Sequence, residues 1–274
     1  MRVRLPVLLI AVPLAASLAA CGSSSKGPDD TGAQSSAPAG GGGSGSPAGP
    51  RGSITVFAAA SLTETFTTLG HQFESAHPGT KVTFNFGASS TLANQINQGA
   101  PADVFASAAP KNMDQVVTPG NAETPVTFAV NKTEIAIPPS NPGHVTQLSD
   151  LAKSGVKVAL CQEQVPCGVV AAQVFTNAHI TVKPVTREAD VKSTLAKVEV
   201  GEVDAGVVYV TDVKAAGTKV KGITIADNVN ASTDYPIATL THAKNAAVAQ
   251  AFVTYVDSSA GKAVLTAAGF GSPS

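Results

Sequence analysis

Apolar positions along the chain change period in a regular way. ITVFAAA, ending at Ala60, is an uninterrupted apolar run and predicts a strand over 53–60. Leu62, Phe66, Leu69 and Phe73 then recur at helical spacing, which predicts a helix over 62–77. The same reading gives strands at 81–86, 103–107, 126–137, 156–160 and 205–210. Helices are expected at 91–98, 168–178, 189–200, 243–256 and 259–267. Strands alternating with helices predict an α/β architecture with mostly parallel sheets. In such sheets ligands bind beyond the carboxyl ends of the strands, where helix N-termini converge. No internal repeat is visible.

The first 52 residues follow another pattern. Arg2 and Arg4 precede an apolar run over 5–20, too short for a comfortable membrane span and suited to a signal peptide. It ends in Leu18-Ala19-Ala20-Cys21, which resembles the lipobox of bacterial lipoproteins. That resemblance implies cleavage after residue 20 and a lipid on Cys21; the alternative is an ordinary signal peptide with an incidental cysteine. Residues 22–52 are almost all Gly, Ser, Pro and Ala and cannot bury enough apolar surface to order themselves. As a flexible tether they would reach about 30 Å. The expected location is the extracytoplasmic face of the cell membrane, held there by lipid.

Charge then narrows the partners. The formal net charge is −1, there is no tryptophan, and no basic run is interleaved with aromatic residues. Nucleic acid and anionic surfaces are therefore poor partners, and sugar or base stacking is unsupported. His71, His77, His144, His179 and His242 are scattered and complete no metal or hydrolase motif.

The segment FAAASLTE, 57–64, raises the chemical question. Ser61-Leu62-Thr63-Glu64 fits a capping box, so Ser61 is expected to cap the helix. Small residues before a helix also leave its first amides approachable, and those amides carry about half a positive charge. Gly87-Ala88-Ser89-Ser90-Thr91 repeats the arrangement after the next strand. Hydroxyls and amides without a nearby cation suit an oxyanion that arrives fully ionised. A plain cap remains the alternative for Ser61.

Several stretches then carry a family resemblance: ITVFAAASL, FGASSTLANQI, GAPADVFASA, QVPCGVVA, READVKSTLAKVE, GEVDAGVVYVTD and AVAQAFVTYVDSSAGKAVLTAAGFG. In this order they resemble the periplasmic molybdate-binding proteins of ABC transporters over nearly all of 53–270. The resemblance implies a two-lobed type II periplasmic-binding-protein fold that closes on a bare tetrahedral oxyanion. It implies donation from the hydroxyls of Ser61 and Ser89, the amides of Cys167 and Val191, and the hydroxyl of Tyr209. Cys167 stands where the family often has alanine, a tolerable change for a backbone donor. Without the resemblance, Val191 reads as an apolar helix residue and Tyr209 as an ordinary buried tyrosine. The expected ligand is molybdate or tungstate, with no cofactor and no directly bound metal, and the expected partner is an ABC transporter permease. The protein is expected to be a monomer and not an enzyme. The lobes are expected at 53–131 with 235–274, and at 132–234.

Cys161 and Cys167 admit three readings. Outside the cytoplasm a disulfide is expected, holding the loop that bears the Cys167 amide. A metal site lacks further ligands, and the spacing is not that of C-x-x-C redox proteins. Two other functions stay open: the same fold taking another tetrahedral anion such as sulfate, and an extracytoplasmic thiol enzyme using this cysteine pair.

Overall fold

A computed structural model describes residues 49–273. Strand β1 (Gly52–Ala59) pairs in parallel with β2 (Thr80–Gly87) and β3 (Val104–Ala106). Between them run helices α1 (Thr63–Ala76) and α2 (Ser89–Asn97), and α3 (Pro110–Val117) follows β3. The twelve-residue β4 (Val126–Ile137) leads to a second set: β5 (Val158–Cys161), α4 (Pro166–Asn177), β6 (Thr186–Glu188), α5 (Val191–Glu199), β7 (Ala205–Tyr209), α6 (Val210–Ala216) and β8 (Lys221–Thr224). Strand β9 (Ser232–Thr239) then returns, and α7 (Ala246–Asp257) and α8 (Ser259–Ala268) pack on the first set.

The strand order is β2-β1-β3-β9-β4-β7-β5-β6, with β8 also on β4. Pairing is parallel away from β4 and β9 and antiparallel wherever either takes part. The expectation of mostly parallel strands thus holds only outside the two connecting strands. A chain that leaves one lobe and comes back must run in both directions, which makes that pair antiparallel. β4 changes partners midway: it pairs with β9 through Lys132 and with β7 from Thr133 onward.

Each lobe has its own kind of core. On the first, Phe66 lies among Phe84, Phe128 and Phe252, and Phe73 meets Phe252 edge-on with ring centres 5.3 Å apart. The second packs aliphatic residues such as Ile135, Val158, Leu160, Val174 and Val207. A further cluster joins Ala60 and Ala88 of one lobe to Cys167, Val191 and Tyr209 of the other.

Four short elements and one long strand lie outside the periodic reading. Helices α3 and α6 and strands β6 and β8 are brief, so each offers too few turns or alternations to register. β9 carries Asp234 and Pro236, residues that ordinarily argue against a strand. The signal segment 1–20, Cys21 and nearly all of the tether fall outside the described residues. Among the described residues no helix is long and apolar enough to cross a membrane.

Candidate functional site

The carboxyl ends of β1, β2, β5, β6 and β7 point toward one another, and a cavity of about 20 Å³ lies where their loops meet. Its lining includes Ser61, Ser89, Cys167, Val191 and Tyr209, so all five sequence-predicted residues come together. One water needs about 10–15 Å³ by this kind of measure, so the space suits one small compact group. Its lining holds no lysine or arginine.

Ser61 differs from expectation in how it gets there. The capping box does not form: Ser61 lies within a 3-10 turn, Ala60–Leu62, and α1 begins at Thr63 without a side-chain cap. Small buried residues let the chain tighten one turn early, and the Ser61 hydroxyl turns instead to the phenol of Tyr235, 2.8 Å away. Glu64, the other half of the box, pairs with Lys192 at 2.8 Å. Ser89 opens α2, and its oxygen accepts from the amide of Ala108 at 2.9 Å. The Ser89 proton is left to point elsewhere. Ser61 and Ser89 are 4% and 1% exposed, so neither hydroxyl is spent on bulk water.

The second lobe supplies helix starts. Cys167 lies in the first turn of α4 and Val191 opens α5, so their amides have no acceptor inside their own helices. The sulfurs of Cys161 and Cys167 are 2.01 Å apart, a disulfide that closes the loop leading into α4. Asp190 also lines the cavity, but its carboxylate caps α5 by accepting from the Ser193 amide at 2.8 Å.

Tyr209, at the end of β7, is 1% exposed and its hydroxyl has no hydrogen-bond partner among the described residues. Burial, reinforced by Tyr235 and Asp212, holds its pKa well above the ordinary value, so it stays an O–H donor. A buried polar atom left without a partner carries a penalty of about 1–3 kcal/mol unless a ligand satisfies it.

Behind Tyr209 lies an ionic group that the sequence reading missed. Lys192 reaches Glu64 of the first lobe and Asp212 of the second, at 2.8 and 3.1 Å. Asp212 also accepts from the Tyr209 amide at 3.1 Å, which holds the end of β7 against the start of α6. The acid three residues beyond Tyr209 in YVTD was a legible signal for that bond. Burial disfavours charge on Lys192, but Asp212 and Glu64 outweigh it and raise its pKa. Burial raises Asp212 from 3.8 to about 6 despite Lys192. Below the unfolded value both states carry the proton and nothing is lost. Between pH 3.8 and about 6 the unfolded chain ionises first, so folding loses stability as pH rises. The stability of the parent minus that of Asp212→Asn should therefore fall over this window, by up to about 3 kcal/mol. Urea unfolding at several pH values measures it, and a difference that stays flat would remove Asp212 as the cause.

Asp103 is structural, accepting from the amides of Thr55 and Lys244 at 2.7 and 2.6 Å. No group of three or more His, Cys, Asp or Glu residues suited to a metal ion occurs among the described residues.

Comparison with known proteins bears on the family and the fold. Residues 54–271 match the family described as bacterial extracellular solute-binding protein. The molybdate-binding protein ModA of Mycobacterium tuberculosis is 39% identical over 269 residues, covering 97% of each chain. Among solved structures, the periplasmic molybdate-binding protein of Azotobacter vinelandii aligns with a TM-score of 0.73 at 23% identity, over 81% of this chain and all of that one. The sulfate-binding protein SubI of Mycobacterium tuberculosis aligns at 0.70 and 16% identity, over 80% of this chain and 86% of that one. Those two structures attest the fold, two-lobed and of the type II periplasmic class. The chain belongs to the bacterial extracellular solute-binding proteins.

Proposed function

We propose that this protein captures molybdate, and tungstate with it, outside the cytoplasm and hands it to an ABC importer. The observation that carries the reading is the buried Tyr209 hydroxyl, unpartnered among the described residues and lining a cavity where the hydroxyls of Ser61 and Ser89 and the first amides of two helices also converge. Two hydroxyls, a phenol and the free amides of Cys167 and Val191 match a naked tetrahedral dianion, which accepts and never donates.

The division into lobes follows the same logic. We take 53–131 with 235–274 as one and 132–234 as the other, supported by the partner change of β4 between Lys132 and Thr133. Ligand bridging the two would favour the closed form that a permease recognises. Cys21 would tether the mature chain by lipid, and the protein would act as a monomer. The Cys161–Cys167 disulfide is read as a staple for the Cys167 loop and not as redox chemistry, since both residues are buried. The function is binding, without catalysis.

Sulfate is the second reading, because the SubI likeness shows that one architecture serves more than one anion. The 39% identity to a molybdate-binding relative favours molybdate. Calorimetric titration of the exported chain with molybdate, tungstate, sulfate and phosphate tests this. Molybdate and tungstate should bind one per chain, with sulfate and phosphate weaker by at least about 100-fold. Sulfate binding as tightly as molybdate would overturn the assignment. Mass spectrometry of the mature N-terminus tests the lipid arm, and an unmodified Cys21 would remove it.

A further inference from the structure

We propose that Tyr235 and Asn131, on the two strands that connect the lobes, are positioning residues that aim the Ser61 proton into the anion cavity. Asn131 lies on β4 at the last stretch paired with β9, and Tyr235 lies on β9 opposite Ala129. All three polar side chains are buried.

The direction of each proton follows from what the neighbours can do. The Asn131 side-chain oxygen takes the Lys132 amide at 3.1 Å, and an N–H can only donate, so this fixes which end of the side-chain amide is oxygen. Its NH₂ group therefore faces Thr211 Oγ1 at 2.8 Å and the Tyr235 hydroxyl at 3.4 Å, donating to both. The Tyr235 oxygen is thereby an acceptor toward Asn131. Its proton is left for Ser61 Oγ at 2.8 Å. Ser61 then accepts from Tyr235, and its own proton has the cavity as its outlet. Reversal would crowd two donors, from Ser61 and Asn131, onto the phenol oxygen, whereas donation from Tyr235 to Ser61 leaves that oxygen with Asn131 alone of the two. Burial keeps Tyr235 protonated, since its pKa is raised far above neutrality.

The arrangement parallels Ser89, whose oxygen is occupied by the Ala108 amide. Both serines are thus held as donors before the ligand arrives, and a preoriented dipole loses less on binding than one that must turn. For Ser61 the hold comes from β4 and β9, the strands that connect the lobes.

This inference rests on the oxyanion reading, and its test separates the two. Ser61→Ala, Tyr235→Phe and the double variant are titrated with molybdate, or with whichever anion of the panel binds tightest. Tyr235→Phe keeps the ring that packs on Phe128 and Phe270 and removes only the hydroxyl. Ser61→Ala should weaken binding by about tenfold or more and Tyr235→Phe by about tenfold. The double variant should be no weaker than Ser61→Ala alone, within about twofold. Asn131→Ala gives the same non-additive pattern one step further back, and serves if Tyr235→Phe does not fold. Losses that multiply, or a Tyr235→Phe protein that binds like the parent, would overturn the proposal. A different preferred anion would overturn only the molybdate assignment.

Discussion

Tyr209→Phe is expected to bind molybdate about 10- to 150-fold more weakly than the parent while the ligand-free variant becomes more stable. The loss follows from removing one hydrogen bond to a charged ligand, worth about 1.5–3 kcal/mol, where each 1.4 kcal/mol is about tenfold. The gain follows from the same atom seen without ligand. The Tyr209 hydroxyl is buried and unpartnered among the described residues, so replacing it by hydrogen lifts a desolvation penalty of about 1 kcal/mol or more. The ring itself stays packed edge-on to Tyr235, with centres 6.2 Å apart. Titration calorimetry reads the affinity, and urea unfolding of anion-free protein reads the stability. Opposite signs in the two measurements would mark a group held strained for its ligand. A variant losing both affinity and stability would mean that the hydroxyl serves the fold, and the site would have to be redrawn.

Gly168→Ala is expected to destabilise the protein by about 2–3 kcal/mol and to remove measurable anion binding. Gly168 follows Cys167 in the first turn of α4, and a Cβ there would collide with the carbonyl of Gln162. That carbonyl is backbone, in a loop already closed by the Cys161–Cys167 disulfide, so it cannot step aside cheaply. Relief would push the start of α4 away from the cavity and take the Cys167 amide with it. Urea unfolding and titration together check this. Wild-type affinity in a folded Gly168→Ala protein would show that the Cys167 amide is not part of the site.

The two serines illustrate what a local pattern can and cannot convey. Small residues between a strand and a helix marked Ser61 and Ser89 correctly as residues at one cavity. The capping box at Ser61 was nonetheless misleading. Its Glu64 is drawn across to Lys192, and its serine to Tyr235, a residue 174 positions away. Local hydrogen bonds of this kind are weak enough that a buried partner from another element displaces them. Tyr209, Cys167 and Val191 were placed by family resemblance, because a tyrosine after GVV and a valine in EADV carry no chemical signal of their own.

The connecting strands show the limit most clearly. β4 was legible over its full length, since twelve residues of strand character are hard to mistake. β9 was not, and Tyr235 within it was read only as the place where the chain crosses back between lobes. Asp234 and Pro236 are tolerable there only because β4 and β3 supply partners on both sides.

By itself the amino-acid order determined the types of most of the longer elements, the α/β class and the small-residue turns, because each is written in periodicity or side-chain size within a few neighbours. Only the tertiary structure decided which donors are unpaired, which way the Ser61 and Ser89 protons face, and that Asp212, Lys192, Asn131 and Tyr235 stand behind them. A hydrogen bond's direction depends on what every neighbouring atom can give or take, and those neighbours are assembled by folding from segments far apart in the chain.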